Sequence, residues 1–313
     1  GVFDMHDERH TYMKTVANFT NLESSKLLDM KNIECIRVIL KIALEEGEHL
    51  RQSWEQVLGV MSLLSRLEML ATTPRLGDDI FFQTKRDDDQ SSDKKEKKGS
   101  VFSAFGYSHA AMAEKAERRR RMEKMEEIRE LERNNAVNIV ELVDLKSVER
   151  VFNKSVNFSE EAIVSFVTCL CDVARLELLG PEDEEKRKAL EMRNAAQPRV
   201  FCLQKLVEVA SYNMETRTHL VWSQLWRHIS NLFTEVGVHE NPSVAMYAID
   251  SLKQLGMKFL EKSELSHFNF QSIFLIPFER IMQKSPALEI KELVLRVIDN
   301  ITQARVGNIM SGW

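Results

Sequence analysis

The sequence predicts an all-α protein: a right-handed α-solenoid in which helical hairpins stack side by side, with one long insert. A tryptophan-led signature occurs at 54–64, occurs again in register at 222–232, and begins a third time at 311–313. The predicted hairpins recur every roughly 40 residues, which is the spacing of HEAT and armadillo repeats. With only 11 glycines and 6 prolines, the composition favours helices over a β-sandwich.

Residues 1–74 are predicted to form the first helical hairpins. Apolar residues recur there at the three- and four-residue spacing of helices that bury one face. Gly47 supplies a turn between the second and third helices. The predicted helices cover 7–21, 29–46 and 50–70.

Two tryptophans are predicted to be structural core residues. Trp54 and Trp222 occupy the same position in their repeats, each within an apolar stripe of helical spacing. Because tryptophan is over-represented in binding hot spots, a role as partner anchors stays open. Trp226 lies one turn beyond Trp222, and the pattern does not decide its exposure.

Residues 75–134 are predicted to be a charged, partly disordered insert that ends in a helix. Its first part has too little apolar content to order alone. Each basic residue near an anionic membrane contributes about 1 kcal/mol, so a basic and aromatic set in this insert is a candidate for membrane contact. Interleaved glutamates favour the alternative of a solvated, ion-paired helix. The candidate residues are Phe102, Phe105, Arg118, Arg119, Arg120 and Arg121.

Residues 135–313 are predicted to continue the same solenoid and to be truncated at the C-terminal end, partway through a repeat. Asn241 and Pro242 are typical of a helix start, and Gly237 is typical of a helix end. The predicted helices and hairpins cover 138–152, 159–179, 198–236, 241–285 and 287–306.

The helix predicted at 242–260 carries the best candidate surface for a partner. One face is apolar and is predicted to be buried: Val244, Ala245, Ala248, Leu252, Leu255 and Phe259. A second face mixes charged, aromatic and thioether side chains, as binding surfaces do, although a plainly solvated face is the alternative. The candidate partner-binding residues are Tyr247, Asp250, Lys253, Gln254 and Met257.

Composition argues against several classes of partner and location. The formal net charge of −5 gives no general attraction to nucleic acid. The four cysteines lie in apolar helical stretches, which indicates reduced thiols and a cytoplasmic setting. No apolar run approaches the roughly 18 to 20 residues that cross a bilayer.

No catalytic, cofactor or metal site is predicted. His6 and His10 have the spacing of zinc ligands on a helix, but Asp7 stands where a metalloprotease needs glutamate. Cys169 and Cys171 point to different faces of their predicted helix. Phosphate-binding glycine loops and nucleophile elbows are absent from the sequence. We therefore expect no enzyme activity in this chain.

A resemblance to one protein family runs through the helical array. It is closest at 241–265, which begins Asn-Pro-Ser-Val-Ala-Met-Tyr-Ala-Ile-Asp, and it continues at 268–279, 203–214, 151–152 and 308–313. Residues 33–70 match more loosely, and the likeness fails over about 75–135. These stretches are similar to the large, brefeldin A-inhibited guanine-nucleotide exchange factors for Arf GTPases.

The resemblance implies a region downstream of the catalytic exchange domain that lacks the catalytic glutamate finger. Such a region is expected to be a regulatory and targeting module, cytoplasmic and peripheral on trans-Golgi network membranes. Its implied partners are an Arf-family GTPase in the GTP form and other domains of the parent exchange factor. The resemblance also allows contact with an anionic membrane surface and a homodimer formed through the parent protein.

A second hypothesis stays open beside this one. The chain would then be a purely structural scaffold that serves dimerisation or braces neighbouring domains without binding a GTPase. GTP-dependent binding of Arf distinguishes the two hypotheses.

Overall fold

A computed structural model describes residues 5–22, 27–72, 104–180, 199–261 and 270–309. Every regular element in these ranges is a helix and none is a strand, so the predicted all-α class is confirmed. The third tryptophan signature, at 311–313, lies outside the described residues.

The described α-helices are numbered in chain order, and short 3₁₀ turns join some of them. They are α1 (His6–Phe19), α2 (Met30–Glu46), α3 (Trp54–Thr72), α4 (Ala104–Leu142), α5 (Lys146–Lys154), α6 (Glu160–Leu179), α7 (Phe201–Thr216), α8 (His219–Val236), α9 (Pro242–Leu260), α10 (Phe270–Lys284) and α11 (Leu288–Ala304).

Local sequence signals start several of these helices. Asp29 accepts a hydrogen bond from the Asn32 amide at 3.0 Å, and the Asn32 side chain accepts one from the Asp29 amide at 2.9 Å, which completes a capping box before α2. Ser159 accepts from the Ala162 amide before α6. Asn241 accepts from the Ser243 amide at 3.0 Å, so that Pro242 occupies the first turn of α9.

Gly237 ends α8, as the sequence predicts, but its backbone φ of −67° does not require glycine. The requirement is space, because a Cβ atom at this position would lie 2.3 Å from Cδ1 of Ile281. Gly237 therefore allows α8 and α10 to approach closely.

The helices pack as two rows. In the first row α2, α5, α7, α9 and α11 follow one another as neighbours, and in the second row α3, α6, α8 and α10 do the same. Contacts between α2 and α3, α6 and α7, α8 and α9, and α10 and α11 join the rows. Stacked hairpins produce this order of neighbours, while the handedness and the HEAT or armadillo character of the stack stay predictions.

One predicted helix, at 138–152, is two helices in the structure. α4 continues through residue 134, where the insert was predicted to end, and stops at Leu142. The Arg37 guanidinium donates to the Leu142 carbonyl at 3.1 Å (Nε) and 2.6 Å (Nη2), which satisfies a group that the end of a helix leaves unpaired. α5 then begins at Lys146.

Trp54 and Trp222 lie in the interior, with exposed fractions of 0% and 2%. The Trp54 ring packs edge-on against Phe166 of α6, with ring centroids 4.6 Å apart. Its indole N–H donates to the Gly47 carbonyl at 3.1 Å. Among the described residues, the buried indole N–H of Trp222 has no acceptor. The two equivalent tryptophans therefore differ in one hydrogen bond.

Trp226 is also buried, with an exposed fraction of 1%. Its indole N–H takes the place of a backbone donor that is missing in α10. Pro277 lies inside α10 and has no backbone N–H, so it cannot donate to the carbonyl four residues earlier, which belongs to Ile273. The Trp226 indole N–H points at that same carbonyl, at 3.4 Å. The ring also stacks on Phe274, with centroids 5.0 Å apart.

A buried carboxylate joins three helices. Glu177 of α6 accepts hydrogen bonds from the Ser62 hydroxyl of α3 and from the Cys202 amide at 2.8 Å, in the first turn of α7. Arg199 pairs with the same carboxylate at 3.3 Å. Glu177 thus supplies the side-chain cap that α7 lacks locally.

We expect Trp54→Phe to destabilise the protein more than Trp222→Phe, by about 1 kcal/mol, because only Trp54 loses a hydrogen bond, and the Gly47 carbonyl then keeps only the bond from the Leu50 amide at 3.3 Å. Trp222→Ala should lower the free energy of unfolding by about 3 to 5 kcal/mol, since it empties a core position. Urea unfolding followed by circular dichroism measures all three changes. Equal losses for the two phenylalanine variants would contradict the assigned bond.

A double-mutant cycle tests the pairing of Trp226 with Pro277. Trp226→Phe leaves the Ile273 carbonyl without a donor, whereas Pro277→Ala restores a backbone N–H within α10. The cost of Trp226→Phe should therefore be smaller by about 1 kcal/mol in the Pro277→Ala background. Additive effects in urea unfolding would show that the indole N–H does not substitute for the missing amide.

Candidate partner-binding surface

The two predicted faces of α9 are separate in the structure. The six apolar residues predicted to be buried are all in the interior. Of the candidate partner-binding residues, Asp250 and Gln254 are exposed, and Tyr247, Lys253 and Met257 are half-buried. The five candidates thus lie at the surface of the first row. Whether they bind a partner stays a prediction.

The neighbouring helix α7 enlarges this surface. Tyr212 of α7 is exposed by 40%, and Glu208, one turn earlier, is half-buried. Burial raises the pKa of Tyr247, and the carboxylates of Glu208 and Asp250 raise it further. The Tyr247 phenol is therefore protonated at neutral pH and is available as a hydrogen-bond donor. Glu208 and Tyr212, together with the five candidate residues of α9, form a surface that we call the α7–α9 face.

Hydrogen bonds within the chain fix the conformation of several side chains at the α7–α9 face. The Gln254 amide donates to Asp250 at 3.0 Å along α9. Lys258 of α9 donates to the Ser211 hydroxyl of α7. These bonds restrict long side chains and so reduce the entropy that binding would cost.

A buried lysine fixes one edge of the same face. Lys205 is exposed by only 5%, and its ammonium contacts both Glu149 oxygens at 2.7 Å and Glu208 at 2.9 Å. Burial alone would lower the pKa of Lys205, but hydrogen bonds to Glu149 and Glu208 outweigh it and raise the pKa. The ammonium also lies 5.6 Å from the centre of the Phe152 ring. Lys205 therefore positions Glu208.

Helical spacing within α9 predicted the α9 residues of this face, but it did not predict Glu208 or Tyr212. Their place follows from α7 being the neighbour of α9, and a single sequence carries no direct signal of that pairing. The i, i+4 spacing of Glu208 and Tyr212 was the available sign that they share a side of α7.

The candidate membrane-contact residues are only partly within the described structure. Phe102 lies outside the described residues, and Phe105 lies in α4, where its side chain is not described. Arg118 to Arg121 are exposed on α4. Arg119 pairs with Glu123 at 3.0 Å and Arg121 pairs with Glu117 at 2.7 Å, so acidic neighbours offset part of the basic charge.

Cys169 and Cys171 have the properties of core residues. Burial raises the pKa of the Cys169 thiol to about 12 and raises that of Cys171 further. Both thiols are therefore protonated at neutral pH, whereas nucleophiles and metal ligands act as thiolates. In the parts of the chain that the structure describes, no three metal-binding side chains lie close enough together to hold an ion. Over the same residues, no helix is both long enough and apolar enough to cross a membrane.

Comparison with known proteins finds relatives that match the chain along its whole length. Residues 258–313 match the Sec7-like HDS family, described as Mon2/Sec7/BIG1-like. The whole chain is 35% identical to brefeldin A-inhibited guanine nucleotide-exchange protein 1 of Arabidopsis thaliana and covers 18% of it. It is also 35% identical to the ADP-ribosylation factor guanine nucleotide-exchange factor sec72 of Schizosaccharomyces pombe, covering 16% of that protein.

A third relative is brefeldin A-inhibited guanine nucleotide-exchange protein 1 of Rattus norvegicus, which is 33% identical over the whole chain. The chain spans less than a fifth of the length of these curated relatives, at 16% to 18%. The matches agree with the resemblance carried by 241–265 and by the helices around it. The chain is therefore similar along its whole length to one region of the large brefeldin A-inhibited Arf guanine-nucleotide exchange factors.

Proposed function

We propose that this chain is a non-catalytic regulatory and targeting module of a large Arf guanine-nucleotide exchange factor. It binds an Arf-family GTPase in the GTP form, together with the membrane, at the trans-Golgi network. By doing so it recruits and controls the exchange domain of the parent protein. The observation that carries this proposal is the similarity of the whole chain to proteins named as guanine nucleotide-exchange proteins, among them the ADP-ribosylation factor guanine nucleotide-exchange factor sec72.

The α7–α9 face is the proposed contact for the GTPase. It combines two tyrosines, a thioether and both signs of charge, a mixture suited to a protein interface. Tyr212 and Tyr247 offer large apolar area with a polar end, as residues at binding hot spots do. The ordered Asp250–Gln254 pair and the fixed Glu208 supply hydrogen-bond acceptors of defined position.

Binding at this face would produce positive feedback. The product of exchange, Arf with bound GTP, would hold the module at the membrane and shift the parent protein from a restrained to an active state. Such coupling between two sites needs a differential binding free energy of only about 1 to 3 kcal/mol.

A structural scaffold is the second candidate function. The observation that favours it is a buried apolar core that extends over the described helices, from Met13 in α1 to Ile301 in α11. A body of this kind can brace neighbouring domains or support dimerisation through the parent protein without contacting a GTPase.

Pulldown with loaded Arf tests the proposed contact. The chain should bind the GTP form about 5- to 150-fold more tightly than the GDP form, which corresponds to about 1 to 3 kcal/mol. Asp250→Lys combined with Lys253→Glu should abolish most of that preference, because both side chains lie on the α7–α9 face. The free energy of unfolding should change by less than about 0.5 kcal/mol, since surface substitutions rarely do more.

The matched control exchanges charges of the same types on α1, with Glu8→Lys and Lys14→Glu, both exposed. These variants should bind Arf as the unaltered chain does. Equal binding of the GDP and GTP forms would contradict the proposed GTPase contact. Dimers in sedimentation equilibrium would then support the scaffold function. Normal binding by the α9 variant would move the contact to another face.

For the membrane part, we expect Arg118, Arg119, Arg120 and Arg121 to strengthen attachment to anionic vesicles. Changing all four to glutamine should reduce flotation with phosphatidylserine vesicles, because each basic residue contributes about 1 kcal/mol at such a surface. The effect should shrink at high salt. Unchanged flotation of the variant at low salt would exclude this cluster as a membrane contact.

A further inference from the structure

A charged cleft lies between α6, α8 and α10, in the second row, apart from the α7–α9 face. Its walls carry Arg175 from α6, His228 and Asn231 from α8, and Arg280 and Lys284 from α10. We call it the α10 cleft. None of these residues was singled out as a binding residue by the sequence patterns, because they come from three separate helices.

The two carboxylates of the α10 cleft, Asp172 and Glu235, are partly neutralised by one arginine. Arg175 pairs with Glu235 through Nε at 2.7 Å and with Asp172 at 2.8 Å. Hydrogen bonding to Glu235 outweighs burial and raises the pKa of Arg175, which therefore stays charged. This three-residue group leaves one excess negative charge on the α6 and α8 side.

The two cations of α10 are not neutralised in this way. Arg280 and Lys284 are exposed and lie one helical turn apart, so their heads share one side of α10. Arg280 donates to the Asn231 amide oxygen at 3.3 Å. Within the described ranges, no carboxylate lies at ion-pair distance from either side chain. Counted with the group around Arg175, the cleft carries a net charge of about +1.

Two neutral hydrogen-bond donors, from Asn231 and His228, lie beside these cations. The side-chain NH₂ group of Asn231 stays available, because Arg280 uses its oxygen. Burial lowers the pKa of His228 and the nearby Arg227 lowers it further, against a smaller opposing effect of Asp172. The imidazole is therefore neutral at pH 7 and above and offers one N–H.

We propose that the α10 cleft binds a phosphate monoester. Such a group carries a charge of about −1.5 to −2 at pH 7 and presents three acceptor oxygens, which matches two cations and two neutral donors. The planar guanidinium of Arg280 suits two phosphate oxygens, and Lys284 supplies a mobile point charge. This site is separate from the proposed Arf contact, and neither depends on the other.

The test is a titration of the whole chain with inorganic phosphate, at constant ionic strength maintained with potassium chloride and at pH 7.5. Side-chain resonances of Arg280 and His228 should shift and saturate. Arg280→Gln with Lys284→Gln should weaken binding by about tenfold or more, since two charge-assisted hydrogen bonds are lost. The matched control, Lys291→Gln with Arg296→Gln on α11, removes two cations outside the cleft and should bind phosphate as the unaltered chain does.

Arg280→Lys with Lys284→Arg keeps both charges and should retain most of the affinity, which separates loss of binding from loss of folding. Linear shifts without saturation would overturn the proposal, and so would equal weakening in the α11 control. If phosphate binds, parallel titrations with phosphoserine and with inositol 1,4-bisphosphate show which class of molecule carries the phosphate group in the natural ligand. Tighter binding of the first indicates a phosphorylated protein, and tighter binding of the second indicates a lipid headgroup.

Discussion

Contact between aromatic rings of successive helices is the interaction on which the rest of the structure depends. Trp54 of α3 meets Phe166 of α6, Phe166 meets Phe152 of α5, and Phe152 meets Phe201 of α7, with ring centroids 4.6 to 6.0 Å apart. Further along, Trp226 and Phe274 join α8 to α10. No hairpin of this kind can bury its apolar face alone, so these contacts make the separate helices one core and hold each surface in place.

The core contains polar groups that its own secondary structure does not satisfy, and neighbouring helices satisfy them. The indole of Trp226 donates to the carbonyl released by Pro277, and Glu177 caps α7 from α6. Arg217 similarly donates to the carbonyls of Phe158 at 2.6 Å and Ser155 at 2.9 Å. Each bond joins residues of separate elements, so it specifies the neighbour as well as stabilising it.

Periodicity within one helix could be predicted from the sequence, whereas relations between helices could not. The apolar face of α9, the start of α2 after Asp29 and the end of α8 at Gly237 are local patterns, and the structure agrees with them. The break after Leu142 depends on Arg37, which is distant in sequence, and the place of Tyr212 beside α9 depends on packing. The α9 residues of the candidate surface could thus be predicted from the sequence, and the residues that α7 adds to it could not.

One further consequence concerns the geometry of α4. This helix has 39 residues, of which the C-terminal part packs against α3, while the described side chains of 116–127 are exposed. At about 1.5 Å per residue, its first 24 residues span about 36 Å. The i, i+4 ion pairs within 117–123 stiffen its exposed part. A force applied there would therefore be transmitted along the helix axis to the contact with α3.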